Sequence, residues 1–269
     1  MSIIQRICDD LEAIRRNRPL VHSLTNFVVM NETANVILCI GALPIMSHAK
    51  EEVEEMVSVA GALVLNIGTL TPDWIDAMEL AGRRANEKGI PVILDPVGAG
   101  ATKLRTDSCR RLLDEVKISI VRGNAAEVAT LAGMSAEIRG VESISASDAA
   151  EVIAREFASK SGVTAAITGA VDIVSDGKRT AKISNGHVML SKVVGTGCMS
   201  SVMVASFAAV DSDPFLAAVG GLTAFGIAGE MAASVSGDRP GTFHAEIYNA
   251  LYALDTSRIR SAARVEMSV

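Results

Sequence analysis

Short apolar runs alternate along the chain with longer segments whose apolar residues recur at helical spacing. Four of these runs are predicted strands: residues 62–67, 91–95, 118–121 and 163–168. Gly, Pro or Asn closely follows each run, and a segment of helical pattern comes next, as at residues 72–86 and 125–132. This alternation indicates βαβ units. It predicts an α/β fold with a largely parallel central sheet and helices on both faces.

One domain is expected to span residues 1–269, because no internal repeat, linker or low-complexity segment divides them. Aromatic residues make up only 3% of the chain, so Ala, Val, Ile, Leu and Gly are expected to fill the core. Residues 214–228 are almost free of polar groups, yet this stretch is shorter than the ~20 residues needed to span a bilayer. We therefore predict a buried, Gly-rich helix there and no membrane association.

Charge and cysteine usage narrow the class of protein. The formal net charge is −6 and no run of Lys or Arg stands out, which argues against nucleic-acid binding because such binding needs a basic face. The N-terminus lacks the basic-then-apolar pattern of a signal peptide. The cysteines form no CxxC pair and no Cys/His ligand spacing, which predicts a reducing, cytoplasmic location without disulfides or a structural zinc site. They are Cys8, Cys39, Cys109 and Cys198.

Residues 194–199, VGTGCM, are the strongest local signal for a ligand site. Ligands of parallel α/β sheets bind beyond the carboxyl ends of the strands. Two glycines that open a helix let the backbone approach a ligand closely. The unpaired N–H groups and the helix dipole at that point suit a phosphoryl group. The alternative is a Gly-rich turn that serves only helix packing.

Three further motifs lie at or after predicted strand ends. In RGNAAE, Asn124 and Glu127 have the spacing of a capping box; alternatively, Glu127 helps to hold Mg²⁺ through water and Arg122 reaches nucleotide phosphates. In DPVGAG, Asp95 ends a buried strand and is either a metal-side carboxylate or a turn former. In ITGA, Thr168 either contacts a phosphate or caps a turn.

In chain order, DPVGAG, RGNAAE, ITGA and GTGC resemble the ribokinase-like superfamily, whose NxxE motif serves magnesium and whose Gly-rich turn forms an anion hole. Three N-terminal segments narrow the resemblance: PLVHSLTNFV from residue 19, NETAN from residue 31 and GALPIM from residue 41. With them, the chain resembles the hydroxyethylthiazole kinase family from about residue 21 to about residue 209. The resemblance implies ATP-dependent phosphorylation of the side-chain alcohol of 4-methyl-5-(2-hydroxyethyl)thiazole in thiamine salvage.

The same resemblance implies ATP as co-substrate, Mg²⁺ as cofactor and a homotrimer with its sites near the subunit boundaries. It also implies roles for particular residues. The implied substrate-binding residues are Asn26, Met46, Gly68 and Gly195; the implied ATP contacts are Arg122, Thr168 and Gly197; the implied Mg²⁺ residues are Asp95 and Glu127.

Cys198 is the informative departure from the wider superfamily, in which an Asp after GxG commonly accepts the proton of the substrate alcohol. A helix N-terminus can lower a thiol pKa from its ordinary ~8.5, so a thiolate at Cys198 can act as the catalytic base; a mainly positional role for Cys198 is left open. A small apolar residue packed at a helix start is the alternative. Because the transition state is loose, we expect Cys198→Ala to lower kcat modestly, and Glu127→Ala or Arg122→Ala to lower it more.

Three other functions remain open at this point. A different ribokinase-like kinase, acting on a pyrimidine alcohol or a sugar, and a dehydratase of hydrated nicotinamide nucleotides both commonly carry Asp where this chain has Cys198. A non-catalytic nucleotide-binding module would have no need to keep Asp95, Asn124 and Glu127. There is no GxxxxGK[ST] motif and no readable Ser/His/Asp arrangement, so neither a Walker-type loop nor hydrolysis is supported.

Overall fold

The computed structural model describes residues 2–134 and 146–268. Within them, the strands form one nine-stranded sheet, and helices cover it. The strands are β1 (Leu20–Leu24), β2 (Leu43–Ile45), β3 (Ala62–Asn66), β4 (Val92–Asp95), β5 (Ile120–Asn124), β6 (Thr164–Thr168), β7 (Asp172–Ser175), β8 (Thr180–Ile183) and β9 (Val265–Ser268). The helices are α1 (Ile3–Asn17), α2 (Met30–Ile40), α3 (Val53–Val59), α4 (Pro72–Lys88), α5 (Lys103–Glu115), α6 (Ala125–Leu131), α7 (Ala146–Ser161), α8 (Thr196–Ala208), α9 (Pro214–Ser236), α10 (Pro240–Ala253) and α11 (Thr256–Ala262), with a 3₁₀ turn at Val188–Lys192.

The strand order is β2-β1-β3-β4-β5-β6-β7-β8-β9. Strands β1 to β6 are parallel, because a helix returns the chain to the same edge after each strand. Strands β7, β8 and β9 add to β6 in antiparallel pairs. The predicted largely parallel α/β sheet is therefore confirmed, and an antiparallel edge that the sequence did not indicate is added.

Successive residues of the central strands face opposite sides of the sheet, and both sides are buried. On one face, Val64 and Ile93 join the apolar cluster that also holds residues of α1, α2, α8, α9 and α10. On the other face, Leu65 and Leu94 join the cluster that holds residues of α3, α4, α5, α6 and α7. Helices thus cover both faces, which explains why the strands are continuous apolar runs in the sequence.

Helix α9 is the apolar segment that resembles a membrane span. It is long and apolar enough to cross a bilayer, but 83% of its most apolar window is buried inside the protein. A Cβ on Gly221 would lie 2.7 Å from Cα of Val204, so the backbones of α9 and α8 are in close contact. The predicted buried, Gly-rich helix is confirmed, and it continues to Ser236.

The structure corrects the predicted position of RGNAAE. Strand β5 starts two residues later than the predicted run 118–121 and continues to Asn124, since Arg122, Gly123 and Asn124 pair with Ala166–Thr168 of β6. The first three residues of the motif therefore end the strand instead of following it. All four cysteines are free, as predicted.

Candidate active site

The carboxyl ends of four neighbouring strands bring the predicted site residues together. Asn66 ends β3, Asp95 ends β4 and Thr168 ends β6. Arg122 lies two residues before the end of β5, between Asp95 and Thr168. The N-terminus of α8 lies over this edge of the sheet, with Cys198 in its first turn. These elements come from distant parts of the sequence but follow one another in the sheet.

A buried carboxylate lies at the centre of the site. Asp95 is 1% exposed, and its Oδ2 accepts hydrogen bonds from Nδ2 of Asn66 (2.8 Å) and Oγ of Ser201 (2.8 Å). The guanidinium of Arg122 lies 3.6 Å from the same oxygen. Burial raises the pKa of Asp95, while Arg122 opposes that rise. The other oxygen, Oδ1, is buried without a hydrogen-bond partner.

Arg122 connects this carboxylate to the predicted ATP residues. Its NH2 group donates a hydrogen bond to Oγ1 of Thr168, and its Nε is buried without a partner. A Cβ on Gly197 would lie 3.0 Å from NH1 of Arg122, so the guanidinium packs against the first turn of α8. The three residues that the resemblance implied for ATP are therefore adjacent in space.

The same three residues line a cavity of about 560 Å³. The 3₁₀ turn at Val188–Lys192 and Phe225 of α9 form its other walls. This volume is within the range of small-molecule and cofactor pockets, ~300–1,000 Å³. Asp172 also lines the cavity; its Oδ1 accepts the N–H of Gly169 (2.9 Å), and burial raises its pKa to about 7. The raised pKa makes this carboxyl easier to protonate than an ordinary Asp, which reduces its repulsion of a phosphate.

The first turn of α8 has the geometry of an anion site. Gly195 precedes the helix with φ +90°, a backbone conformation that favours glycine. The side chain of Thr196 fixes the turn by donating to the carbonyl of Leu190 (2.8 Å). First-turn N–H groups have no acceptor within their helix, and the helix dipole adds positive potential there.

The structure corrects the expected ionisation of Cys198. Its sulfur accepts hydrogen bonds from Nδ2 of Asn66 (3.2 Å) and Nδ2 of Asn26 (3.5 Å). Burial first, and the nearby Asp95 second, raise the pKa of the Cys198 thiol to about 12. The pKa is therefore raised and not lowered, because burial and Asp95 together outweigh both amide donors and Arg122. Cys198 is a neutral thiol at neutral pH, and its thiolate is not available as a resting base.

Glu127 forms the capping box that its spacing indicated. Its Oε2 accepts the N–H of Asn124 (2.8 Å), and Oδ1 of Asn124 accepts the N–H of Glu127 (3.0 Å). Its Oε1 accepts the N–H of Gly98 (2.8 Å), which joins the DPVGAG turn to α6. Residues 2–134 and 146–268 contain no group of three or more His, Cys, Asp or Glu side chains that could enclose a metal ion.

The implied substrate residues are only partly brought together. Asn26 contacts Cys198, and a Cβ on Gly68 would lie 2.7 Å from Asn26, so these two residues pack tightly. A Cβ on Gly195 would lie 2.4 Å from Cγ1 of Val29. Met46 follows β2 at the same edge of the sheet and is half-buried, but it lies outside the hydrogen-bonded cluster around Cys198.

Sequence reasoning missed Asn66, which contacts both Asp95 and Cys198. A signal was available, since Asn66 is the one polar residue in the predicted strand 62–67 and stands near its carboxyl end. Ser201 was also missed. It falls in a helical run of small residues, where nothing distinguishes a serine that contacts a carboxylate from one that fills space.

The architecture is a ribokinase-like fold. A ribokinase-like superfamily protein from Enterococcus faecalis superposes with a TM-score of 0.62 over 93% of this chain and 94% of that one, at 11% identity. At so low an identity, the likeness shows the fold alone. The fold is therefore ribokinase-like, and the assignment to a family depends on closer relatives.

Residues 11–257 match the model of the hydroxyethylthiazole kinase family. A hydroxyethylthiazole kinase from Chloroflexus aurantiacus is 51% identical over 265 residues, which cover 98% of both chains. The structure of a hydroxyethylthiazole kinase protein from Pyrococcus horikoshii OT3 is 43% identical, with a TM-score of 0.91, and the match covers 98% of this chain and all of that one. The chain belongs to the hydroxyethylthiazole kinase family, and the resemblance seen in its motifs is confirmed.

Proposed function

We propose that this protein transfers the γ-phosphoryl group of ATP to the hydroxyl of 4-methyl-5-(2-hydroxyethyl)thiazole, giving the thiazole phosphate for thiamine synthesis. Family membership supports this substrate. The structural observation that carries the proposal is the position of Arg122 and α8, which separate a nucleotide-sized cavity from the Cys198 cluster. Donor and acceptor would thus meet at the start of α8.

In this proposal ATP occupies the cavity of about 560 Å³, with its phosphates beside Arg122, Thr168 and Gly197. The guanidinium and the first-turn N–H groups of α8 would stabilise negative charge on the group in transfer. Phosphoryl transfer depends mainly on such positioning and charge stabilisation. The substrate would lie near Asn26, Met46, Gly68 and Gly195, and Cys198 would contact its alcohol as a neutral thiol.

The residues present fit Mg²⁺. Asp95 has a buried carboxylate oxygen without a hydrogen-bond partner, and Glu127 is a second, half-buried carboxylate near the same strand ends. Mg²⁺ prefers oxygen ligands and is commonly bound by one or two carboxylates together with waters and substrate phosphates. Asp95 and Glu127 would hold it in that way. When bound, the ion would neutralise part of the charge of the ATP phosphates.

The proposal includes a cytoplasmic homotrimer whose sites lie near subunit boundaries. Three apolar side chains next to the substrate residues Asn26 and Gly195 support it: Phe27, Val28 and Val194 are 61%, 59% and 74% exposed. A second subunit would remove them from water. Sedimentation velocity measures the assembly directly, and a monomer at micromolar concentration would contradict this part.

The test is phosphorylation of hydroxyethylthiazole by the purified protein, with product mass read directly. We expect product with ATP and Mg²⁺ and none after chelation of the metal. Glu127→Gln is the informative variant, since Gln removes the charge and can still complete a capping box, although it has one acceptor oxygen for the N–H groups of Asn124 and Gly98. A metal role predicts reduced turnover that recovers as the Mg²⁺ concentration is raised, whereas a purely structural role predicts a lower unfolding midpoint and an unchanged dependence on Mg²⁺.

Glu87→Ala, on the exposed side of α4, is the control. If the folded protein binds ATP but phosphorylates only a pyrimidine alcohol or a sugar, the substrate assignment is wrong.

A further inference from the structure

Asn66 is the most connected side chain of the site, and it is 1% exposed. Its Nδ2 donates to Oδ2 of Asp95 (2.8 Å) and to the sulfur of Cys198 (3.2 Å). Its Oδ1 accepts from Nδ2 of Asn26 (2.9 Å) and from the N–H of Gly68 (3.0 Å). One amide therefore touches residues from the substrate side and from the phosphoryl side of the site.

Backbone donors fix the orientation of both asparagine amides. The N–H of Gly68 can only donate, so the Asn66 atom that faces it must be oxygen. The N–H of Val28 likewise requires Oδ1 of Asn26 (3.1 Å). Both NH₂ groups are then forced towards Cys198, and its sulfur is an acceptor of two hydrogen bonds.

This arrangement also determines where the thiol proton lies. Within the described ranges 2–134 and 146–268, the thiol of Cys198 donates no hydrogen bond to the protein. On the side that faces Asn26 and Asn66, its sulfur accepts one N–H group from each amide. The S–H group is thereby turned away from Asn26 and Asn66. A neutral thiol held in this way can donate a hydrogen bond to an oxygen of a bound alcohol.

We propose that Asn66 is a positioning residue for phosphoryl transfer, which holds Asn26, Cys198 and Asp95 in one arrangement and directs the Cys198 S–H towards the acceptor alcohol. The identity of the alcohol rests on the proposed function, whereas the geometry of the amides is independent of it. Asn66 acts through its neighbours, so removing it should affect kcat more than the KM for ATP.

Asn66→Asp is the sharpest variant, because it keeps an oxygen for Asn26 and Gly68 while it replaces the NH₂ group that faces Cys198 and Asp95. We expect kcat to fall on the order of tenfold or more, as small misplacements of reacting groups do, with the KM for ATP changed less than about threefold. Asn66→Ala provides a second variant if Asn66→Asp is unstable. Asn86→Asp is the matched control, since Asn86 also uses both amide atoms, on the backbone of Lys117, at a half-buried position in α4.

A double-mutant cycle with Cys198→Ala tests whether Asn66 acts through the thiol. The effect of Asn66→Asp on kcat should shrink markedly in the Cys198→Ala background, because residues that act as a unit are not additive. An undiminished effect in both backgrounds, or an unchanged kcat in Asn66→Asp and Asn66→Ala, would overturn the proposal.

An infrared measurement separates this inference from the proposed function. The S–H stretching band of Cys198, obtained as the difference between the wild-type and Cys198→Ala spectra, needs no turnover. We expect Asn66→Asp to shift this band and Asn86→Asp to leave it in place. A band that does not shift overturns the inference even if the enzyme phosphorylates the thiazole. A shifted band supports the inference even if the substrate proves to be another alcohol.

Discussion

Replacing Gly195 by Ala tests the geometry of the anion-binding turn. Gly195 has φ +90°, and a residue with a Cβ in this conformation lowers the free energy of unfolding by roughly 1–2 kcal/mol. The new Cβ would lie 2.4 Å from Cγ1 of Val29, which is buried. Carbon atoms in contact are about 3.5–4.0 Å apart, so the turn or Val29 has to move by roughly 1 Å.

Two quantities should change in Gly195→Ala. The backbone strain should lower the thermal midpoint by about 2–8 °C, from ~2–4 °C per kcal/mol for a chain of this size class. The displacement of the turn should lower kcat/KM for ATP on the order of 100-fold, as a shift of about 1 Å in a catalytic arrangement does. Differential scanning calorimetry and steady-state kinetics measure the two effects separately.

Two further variants separate strain from displacement. Gly89→Ala is the strain control: Gly89 has φ +75° at the end of α4, and nothing lies within 4 Å of the added Cβ. It should lose comparable stability and keep its kcat/KM. Val29→Ala removes the clashing methyl group, so it should restore much of the activity of Gly195→Ala. The reasoning is refuted if Gly195→Ala keeps wild-type kcat/KM, or if Val29→Ala fails to improve it.

Three other predictions concern charged and titratable groups. Burial raises the pKa of the Asp10 carboxyl from 3.8 to about 7, so the folded protein binds the carboxyl proton more tightly than the unfolded chain does. The free energy of unfolding therefore falls as the pH rises from the unfolded-state pKa to the folded-state pKa. Asp10→Asn should therefore stabilise the protein more at pH ~8 than at pH ~5, as seen in unfolding midpoints; an equal effect at both would contradict this. Arg122→Met leaves Asp95 buried without its cation and should cost about 3–5 kcal/mol in denaturant unfolding, while Arg111→Met, in an exposed ion pair, should cost little. Cys198→Ala should lower kcat modestly without removing any limb of the pH–rate profile near neutrality, since the thiol pKa is about 12; loss of a basic limb there would show that the thiol ionises.

Local signals were sufficient for the central part of the fold. Helix α4 begins at Pro72 after the N-cap Thr71 and ends before Gly89 in a left-handed conformation, and each of these signals can be read from the chain. The predicted runs match β3, β4 and β6 to within a residue or two because these strands are buried on both faces.

The remaining strands depend on partners that are distant in sequence. Strand β1 contains two fully buried polar residues, His22 and Ser23. They interrupt the apolar pattern, so the sequence does not indicate a buried strand there. Nε2 of His22 forms a hydrogen bond with the carbonyl of Ser47 (2.7 Å), and no local sequence pattern indicates this contact. Strands β7 to β9 are only four residues long and too short for a clear period.

The position of the candidate site was predictable from the sequence, but its electrostatics and part of its membership were not. Strand ends of a parallel sheet meet at one edge, which is sufficient to bring Asp95, Arg122 and Thr168 together. The pKa of Cys198 depends instead on burial and on Asp95, which lies 103 positions earlier in the chain. A rule based on the helix N-terminus alone gives the wrong direction there.

The close contact between α8 and α9 has a consequence for how ATP is bound. Because Gly221 lets the backbone of α9 touch Val204 of α8, α8 has little room to slide or tilt. The α8 N-terminus then loses its conformational entropy when the chain folds and not when the nucleotide binds. The nucleotide binds to a turn that is already ordered, so binding needs little further ordering of the protein. ATP association should therefore be fast and accompanied by little change in amide hydrogen exchange along α8.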